Sequence, residues 1–259
     1  MAYTREVLTL AIEVGDAMLK NGAEIYRVQD TITHILKAYD IREFDVYVLS
    51  NGIFASANED KNDFCSIIRH VPSSTVNLAR ISSLNQLARD ICTHQCSLGD
   101  SWTRLEESKN IPLYPRRIIA LFAGIGTAGF CYLFGGNILD CLFTFCIGIL
   151  EQILLFFFSK HKLSNVMSNV FSSLFVTLLS ILIMLTGLPV LQDKIVIGSI
   201  MLLVPGMAFT TAIRDYYNRD YLSGTIHLID ALVTALCIAV GVFMGIWLCR
   251  YLGGGNLYI

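Results

Sequence analysis

Apolar residues recur at helical spacing through residues 4–20, at Val7, Leu8, Ala11, Val14 and Met18. That is the stripe a helix buries against a core. Asn21-Gly22 breaks it as a left-handed helix end would. Ile25, Val28, Ile32, Ile35 and Leu36 predict a second helix over 23–38. The period then changes. Phe44, Val46 and Val48 alternate with polar residues, Ser50-Asn51-Gly52 marks a turn, and 53–57 reads as a second strand. Glu59-Asp60-Lys61-Asn62 marks another turn before a third strand from Phe64 to Val71. A helix over about 75–97 places Val76, Ala79, Leu84, Leu87, Ala88 and Ile91 on its buried side. The order α-α-β-β-β-α predicts an α+β domain over residues 1–97.

Residues 98–117 are polar, with Asp100, Arg104, Glu106, Glu107 and Lys109, and Pro112 and Pro115 stop a continuing helix. They read as a linker. Beyond it, over 118–259, come five apolar runs at about 118–135, 138–158, 168–188, 195–213 and 226–249. Each is long enough to cross about 30 Å of hydrocarbon. The expectation is an N-terminal cytoplasmic α+β domain followed by an all-α polytopic membrane domain of five transmembrane helices.

Composition sharpens this division. The chain is 54% hydrophobic and 15% charged, but about a quarter of residues 1–117 are charged against about one in twelve of 118–259. That excludes a single soluble domain, a disulfide scaffold and a disordered chain. The net charge of −2 gives no footprint for nucleic acid. Glu6, Glu13 and Asp16 interrupt the opening residues, so these do not read as a signal peptide. Arg116, Arg117, Lys160, Lys162, Arg214 and Arg219 flank the spans on one side, against Lys194 and Arg250 on the other. The side richer in Lys and Arg is expected to be cytoplasmic. The N-terminus then lies inside and the C-terminal GGGNLYI outside the plasma membrane.

Chemistry in residues 1–97 is sparse. There is no phosphate-binding glycine loop, no nucleophile elbow and no histidine pair at metal spacing. Cys92, His94 and Cys96 cluster on the expected helix, but His94 points away from the face Cys92 and Cys96 share, and no second ligand pair accompanies them. Neither a metal nor a cofactor is expected. Five of the eight cysteines lie in apolar segments, where they act as small hydrophobes.

Acids inside the apolar runs carry more information, because a charge in hydrocarbon is expensive. Asp140 begins the second run, close to headgroups. Glu151 lies about 16 Å deeper at 1.5 Å per residue, with Gln152 beside it. Glutamate is too short to reach water from there, so Glu151 faces a cavity or a partner, or is protonated. Asp230 sits about 8 Å into the fifth run. Pro205-Gly206 falls near the middle of the fourth. Proline removes a backbone donor, and broken helices at mid-depth expose backbone groups to substrate in transporters. Thr210 and Thr211 follow with hydroxyls. Gly124, Gly126 and Ala128, and the pair Gly241 and Gly245, allow close helix contact.

The stretch Asn21-Gly22-Ala23-Glu24-Ile25-Tyr26-Arg27-Val28 resembles the opening signature of the threonine/serine exporter family. Arg69-His70-Val71-Pro72, Asn77-Leu78-Ala79-Arg80 and Leu84-Asn85 resemble the end of its soluble domain. Val204-Pro205-Gly206 through Ala212-Ile213-Arg214-Asp215, then Gly224, resemble its block across the fourth and fifth spans. The resemblance implies export of threonine and serine or, in a split two-protein form, of a small dicarboxylate such as succinate, driven by the proton gradient. The fused form has about ten spans, so a chain with five resembles the large subunit of the split form, with a separate small membrane subunit as partner. On this reading Pro205 and Gly206 open the fourth span, Thr210 and Thr211 contact the substrate, and Glu151 carries a proton with Asp230 as its partner. The rival reading is a membrane-anchored enzyme or sensor whose soluble domain carries the activity.

Overall fold

The computed structural model describes residues 2–58, 64–71 and 76–252. The expected turn at 59–62, Pro72 and the tail 253–259 lie outside them. The chain divides into two compact units, Met1–Leu113 and Tyr114–Ile259.

In the first unit α1 (Ala2–Lys20) is the central element. Val7, Leu8, Leu10, Ala11, Ile12, Val14, Ala17 and Met18 bury most of its circumference, and it packs on the other helices there and on the second and third strands. Gly15 permits the approach of α2 (Ile25–Ala38), since an added Cβ would stand 2.6 Å from Ile32 Cδ1. Gly22 adopts φ +83° and closes α1. Ala23 N–H donates to Met18 O, and the Asn21 side chain donates to Ala17 O. Strands β1 (Glu43–Leu49), β2 (Gly52–Asn58) and β3 (Phe64–His70) form an antiparallel meander. Leu49 pairs with Gly52 across the two-residue turn. Alternation buries Val48, Ile53, Ala55 and Ala57 against the helices and leaves Tyr47, Phe54 and Ile68 on the open face. The third helix, α3 (Leu78–Cys92), starts later and ends earlier than its pattern suggested. Leu84, Leu87, Ala88 and Ile91 are buried as expected, whereas Val76 and Ala79 are exposed.

Two expectations for this unit are corrected. The stretch 98–117 is not all linker, because Leu98–Lys109 forms a helix, α4. Asp100, Glu106 and Glu107 face outward. Leu98, Trp102 and Leu105, at helical spacing, pack on the core. Lys109 reaches Glu13 of α1 at 3.1 Å, and Arg104 reaches Asp90 of α3 at 2.7 Å. Cys92, His94 and Cys96 do not share a helix either. The helix stops at Cys92, His94 takes φ +55°, and Cys96 Sγ accepts from the Arg104 guanidinium at 2.9 Å.

Among the described residues of the second unit, four helices are long and apolar enough to cross a membrane: α5 (Arg116–Leu133), α6 (Ile138–Lys160), α7 (Asn165–Met184) and the last, α10 (Tyr221–Leu252). The fourth apolar run is not one helix. It forms α8 (Gln192–Ile200) and α9 (Gly206–Tyr217), each too short to span alone. Proline at 205 disfavours a helical residue before it and offers no N–H. The last turn of α8 tightens instead, with Leu202 N–H on Ser199 O and Leu203 N–H on Ile200 O.

Small residues set the helix contacts. Gly124 of α5 lies against Phe145 and Ile149 of α6, while Gly126 points into open space. Gly148 of α6 lies against Thr127, whose hydroxyl contacts the Thr144 carbonyl at 3.2 Å. Gly241 of α10 meets Val170, Ser173 and Leu174 of α7, and one turn later Gly245 meets Leu174 and Thr177. The order of these contacts makes α7 and α10 parallel. The α8–α9 segment therefore returns the chain to the end where α7 began. Gly241 stands about 30 Å along α10 and Val170 only about 8 Å along α7, so α10 overruns the start of α7. That overrun is where α9 packs, with Ala212 O and Tyr216 against Gly224.

Candidate functional site

One face of α6 is buried, comprising Asp140, Thr144, Ile147, Gly148 and Glu151. The spacing follows the helical period, so a single strip of the helix faces α5, α7 and α8. At its start Asp140 is fully buried rather than interfacial. Its two carboxyl oxygens accept Asn137 N–H at 2.8 Å and Leu191 N–H at 2.9 Å. The first bond caps α6, and the second fastens the entry of α8 to it. Farther along, Ile147 packs with Val176 of α7 and Ile195 of α8 in one apolar cluster.

Four residues from each member of that cluster stands a polar residue: Glu151 on α6, Ser172 on α7 and Ser199 on α8. Helix α6 ends and α7 begins at the 161–164 loop, so Glu151 and Ser172 each lie about one turn nearer that loop than Ile147 and Val176. Gly198, beside Ser199, packs on the Cys131 backbone of α5. Glu151, Ser172 and Ser199 are all fully buried. Both Glu151 oxygens and both serine hydroxyls lack a hydrogen-bond partner among the described residues. Buried polar atoms are ordinarily paired, so each of these orphans calls for an explanation. Ser199 is the penultimate residue of α8, two residues before the break at 201–205.

The other expected site residues are placed differently. Pro205 and Gly206 do mark the break, but Gly206 is exposed, with open space around an added Cβ. Thr210 is exposed, and its hydroxyl donates to the carbonyls of Gly206 and Met207 in its own helix. Thr211 and Gln152 are half-buried. Asp230 is exposed on the overrunning half of α10 and does not pair with Glu151.

A family model described as "Putative threonine/serine exporter" matches residues 9–249. The chain belongs to the threonine/serine exporter family. Among curated relatives of this exporter family member, "Probable succinate transporter subunit YjjP" of Escherichia coli (strain K12) is 23% identical over 249 residues, covering 94% of this chain and 95% of that protein. "Probable threonine/serine exporter" of Mycobacterium tuberculosis is 24% identical over 253 residues, and the chain spans 46% of it. "Pheromone-regulated membrane protein 10" of Pichia sorbitophila is 24% identical over 245 residues, 23% of its length. No solved structure matches. With its apolar helices, this threonine/serine exporter family member is a multi-pass membrane protein of a transporter family.

Two features of this exporter family chain escaped sequence reasoning. Ser172 and Ser199 are single serines in apolar runs, and only their four-residue spacing from Val176 and Ile195 hinted at a buried role. Asp215 and His227 join α9 to α10, with Nδ1 of His227 2.8 Å from an Asp215 oxygen. Their twelve-residue separation across a turn gave no periodic signal. The family-like motif around Asn21-Gly22 and Asn77 is structural. Asn77 N–H donates to Asn21 O, and the Asn77 side chain caps α3. Arg80 fastens Ile111 O with two hydrogen bonds.

Proposed function

We propose that this chain is one subunit of a proton-gradient-dependent secondary transporter that exports threonine and serine, or a small dicarboxylate such as succinate, across the plasma membrane. A separate small membrane subunit of the same family completes it. The observation that carries this reading is Glu151, an acid buried in an apolar bundle with no partner for either oxygen among the described residues. An acid so placed is costly unless it exchanges a proton or meets a ligand. Glu151 is the proton carrier. The break at Pro205-Gly206 lets α8 and α9 together make a fifth crossing that can open, with Thr210, Thr211, Gln152 and Asp230 along the substrate path.

Two comparisons support a split assembly. The relative named as a subunit matches this chain almost end to end, and the relative named as an exporter is about twice as long. Basic residues cluster at the ends carrying Arg116, Lys160, Lys162 and Arg219, which supports a cytoplasmic N-terminal unit.

The test is efflux of labelled threonine, serine and succinate from cells producing the chain with and without a neighbouring small membrane protein of the family. Native chain plus partner should export at least one of the three. Glu151→Gln should assemble normally and lose gradient-driven efflux. Undiminished efflux from that variant refutes the proton role, and no export of any of the three refutes the transporter reading.

A further inference from the structure

We propose that the Asp215–His227 pair is a proton-operated clasp: with His227 charged it holds α9 on α10, and loss of that proton releases α9. The clasp rests on the reading of the α8–α9 segment as a crossing that opens, and it adds what controls one half of that segment.

Helix α9 depends on one neighbour. Among the helices and strands it packs substantially on α10 alone, and the non-helical residues 201–205 separate it from α8. Only Ala212 and Asp215 of α9 are buried. The Ala212 carbonyl lies close to Gly224, where an added Cβ would stand 3.2 Å from it. Asp215 meets His227, with Nδ1 2.8 Å from Oδ2. At the exposed rim the Tyr216 and Thr225 hydroxyls meet at 2.9 Å. The contact is therefore small, and its one buried charge is Asp215.

Burial divides the pair unequally. The Asp215 side chain is 6% exposed and that of His227 23%. A carboxylate taken out of water is costly without a charged partner, whereas the partly open ring can exchange its proton with solvent. Helix α10 has 32 residues, about 48 Å of helix against about 30 Å of hydrocarbon. His227 stands about 9 Å from its start, just past Arg219 and Asp220, so the pair lies toward the interface. Ser223, one turn before His227 on the same face, has a fully buried hydroxyl with no partner among the described residues. Opening hydrates it, which lowers the cost of parting the helices.

Other ionisable groups near the pair are few. Helix α7, which also packs on α10, has none. On α9 Arg214, Tyr216 and Tyr217 adjoin Asp215. In the connecting turn Arg219 is exposed, and Asp220 accepts Ser223 N–H at 3.3 Å. On α10 the Tyr221 ring lies 6.1 Å from that of Tyr216, and Asp230 is exposed one turn beyond His227. Cys237, Cys249, Arg250 and Tyr251 stand about 15 Å or more farther along. Histidine is the side chain of this set whose charge ordinarily changes between about pH 5 and 8.

Protonated His227 donates a charged N–H to the Asp215 carboxylate. When an imidazole N–H bond breaks and its proton passes to water, the ring offers at most a neutral donor. Charge-assisted hydrogen bonds are about twice as strong as neutral ones. Asp215 keeps its charge and loses its counter-charge, so hydration of the carboxylate wins and α9 leaves α10.

The experiment follows hydrogen exchange of the 206–217 amides by mass spectrometry, in the full-length chain in lipid nanodiscs, between about pH 5 and 8. After correction for the chemical rate at each pH, native exchange should quicken about tenfold toward the higher pH. His227→Gln and Asp215→Asn should exchange fast throughout. His227→Lys, which stays charged over this range, should remain slow throughout. A flat native profile, or a His227→Lys profile that rises like the native one, overturns the clasp, and the native profile decides this even where a variant fails to fold. Efflux separates the clasp from the reading beneath it. Slow α9 exchange with undiminished export in His227→Lys keeps the clasp and removes α9 from the moving crossing. A flat native profile with Glu151-dependent export removes the clasp alone.

Discussion

Asp140→Ala tests whether the entry of α8 is held to α6 by one carboxyl group. The side chain is fully buried and accepts two backbone N–H groups, at Asn137 and Leu191, at 2.8 and 2.9 Å. Hydrogen bonds to a charged acceptor contribute about 1.5–3 kcal/mol each, and a buried donor left unmet bears its own penalty. Losing both should destabilise the membrane unit by about 3–5 kcal/mol, more than a hundredfold in the unfolding equilibrium. Asp140→Asn retains a single accepting oxygen and should cost about half as much. The assay is reversible unfolding of the full chain in mixed micelles, followed with a probe on α8. The consequence should reach function, because Leu191 leads into the α8–α9 segment proposed as the crossing that opens. Efflux should fall in Asp140→Ala and partly recover in Asp140→Asn. An Asp140→Ala chain within about 0.5 kcal/mol of native would show that apolar packing alone holds α8, and the latch would be refuted.

Three further outcomes follow from the packing. A fragment of residues 1–113 should unfold cooperatively in urea, whereas 1–97 should lose about 4 kcal/mol or more with the apolar faces of Leu98, Trp102 and Leu105; equal midpoints would return α4 to the status of a linker. Gly245→Ile should cost about 1–3 kcal/mol or more in micelles, since an added Cβ already stands 2.8 Å from Thr177, while Gly126→Ala should be neutral. The side-chain amide of Gln86, followed by the Arg104 guanidinium, holds the Asp90 carboxyl below its usual range. A depressed carboxyl stabilises the fold above its ordinary range, and that contribution is lost as pH falls through the folded value. Arg104→Ala should therefore shrink the acid-induced loss of stability in the 1–113 fragment, read from urea midpoints across the acid limb.

What the residue pattern revealed, and what it hid, divides along a physical line. Periodicity reports one face of one element against the rest. It recovered α1, α2, the three strands and the long apolar helices because each buries a continuous stripe. It misread 98–109 because five charges in twelve residues outweighed Leu98, Trp102 and Leu105, although those three already had the spacing of a buried face. It counted 195–213 as one span because hydropathy averages over Pro205, whereas the backbone cannot. Val76 and Ala79 were assigned to a core that begins one turn later.

The site divides in the same way. Glu151 was legible because an acid at mid-span has no inexpensive explanation. Thr210 and Thr211 were chosen by closeness in sequence to Pro205, and the hydroxyl of Thr210 turns back to its own helix. Ser172 and Ser199 lie 21 and 48 residues beyond Glu151, on other helices, so no period of a single element marks them as buried orphans. The break at Pro205 was legible in kind but not in extent, because a proline marks where a helix must stop and not where the chain resumes. The acid at 151 and the proline at 205, 54 residues apart, were each read from the cost of that residue in an apolar run, and neither reading needed the other.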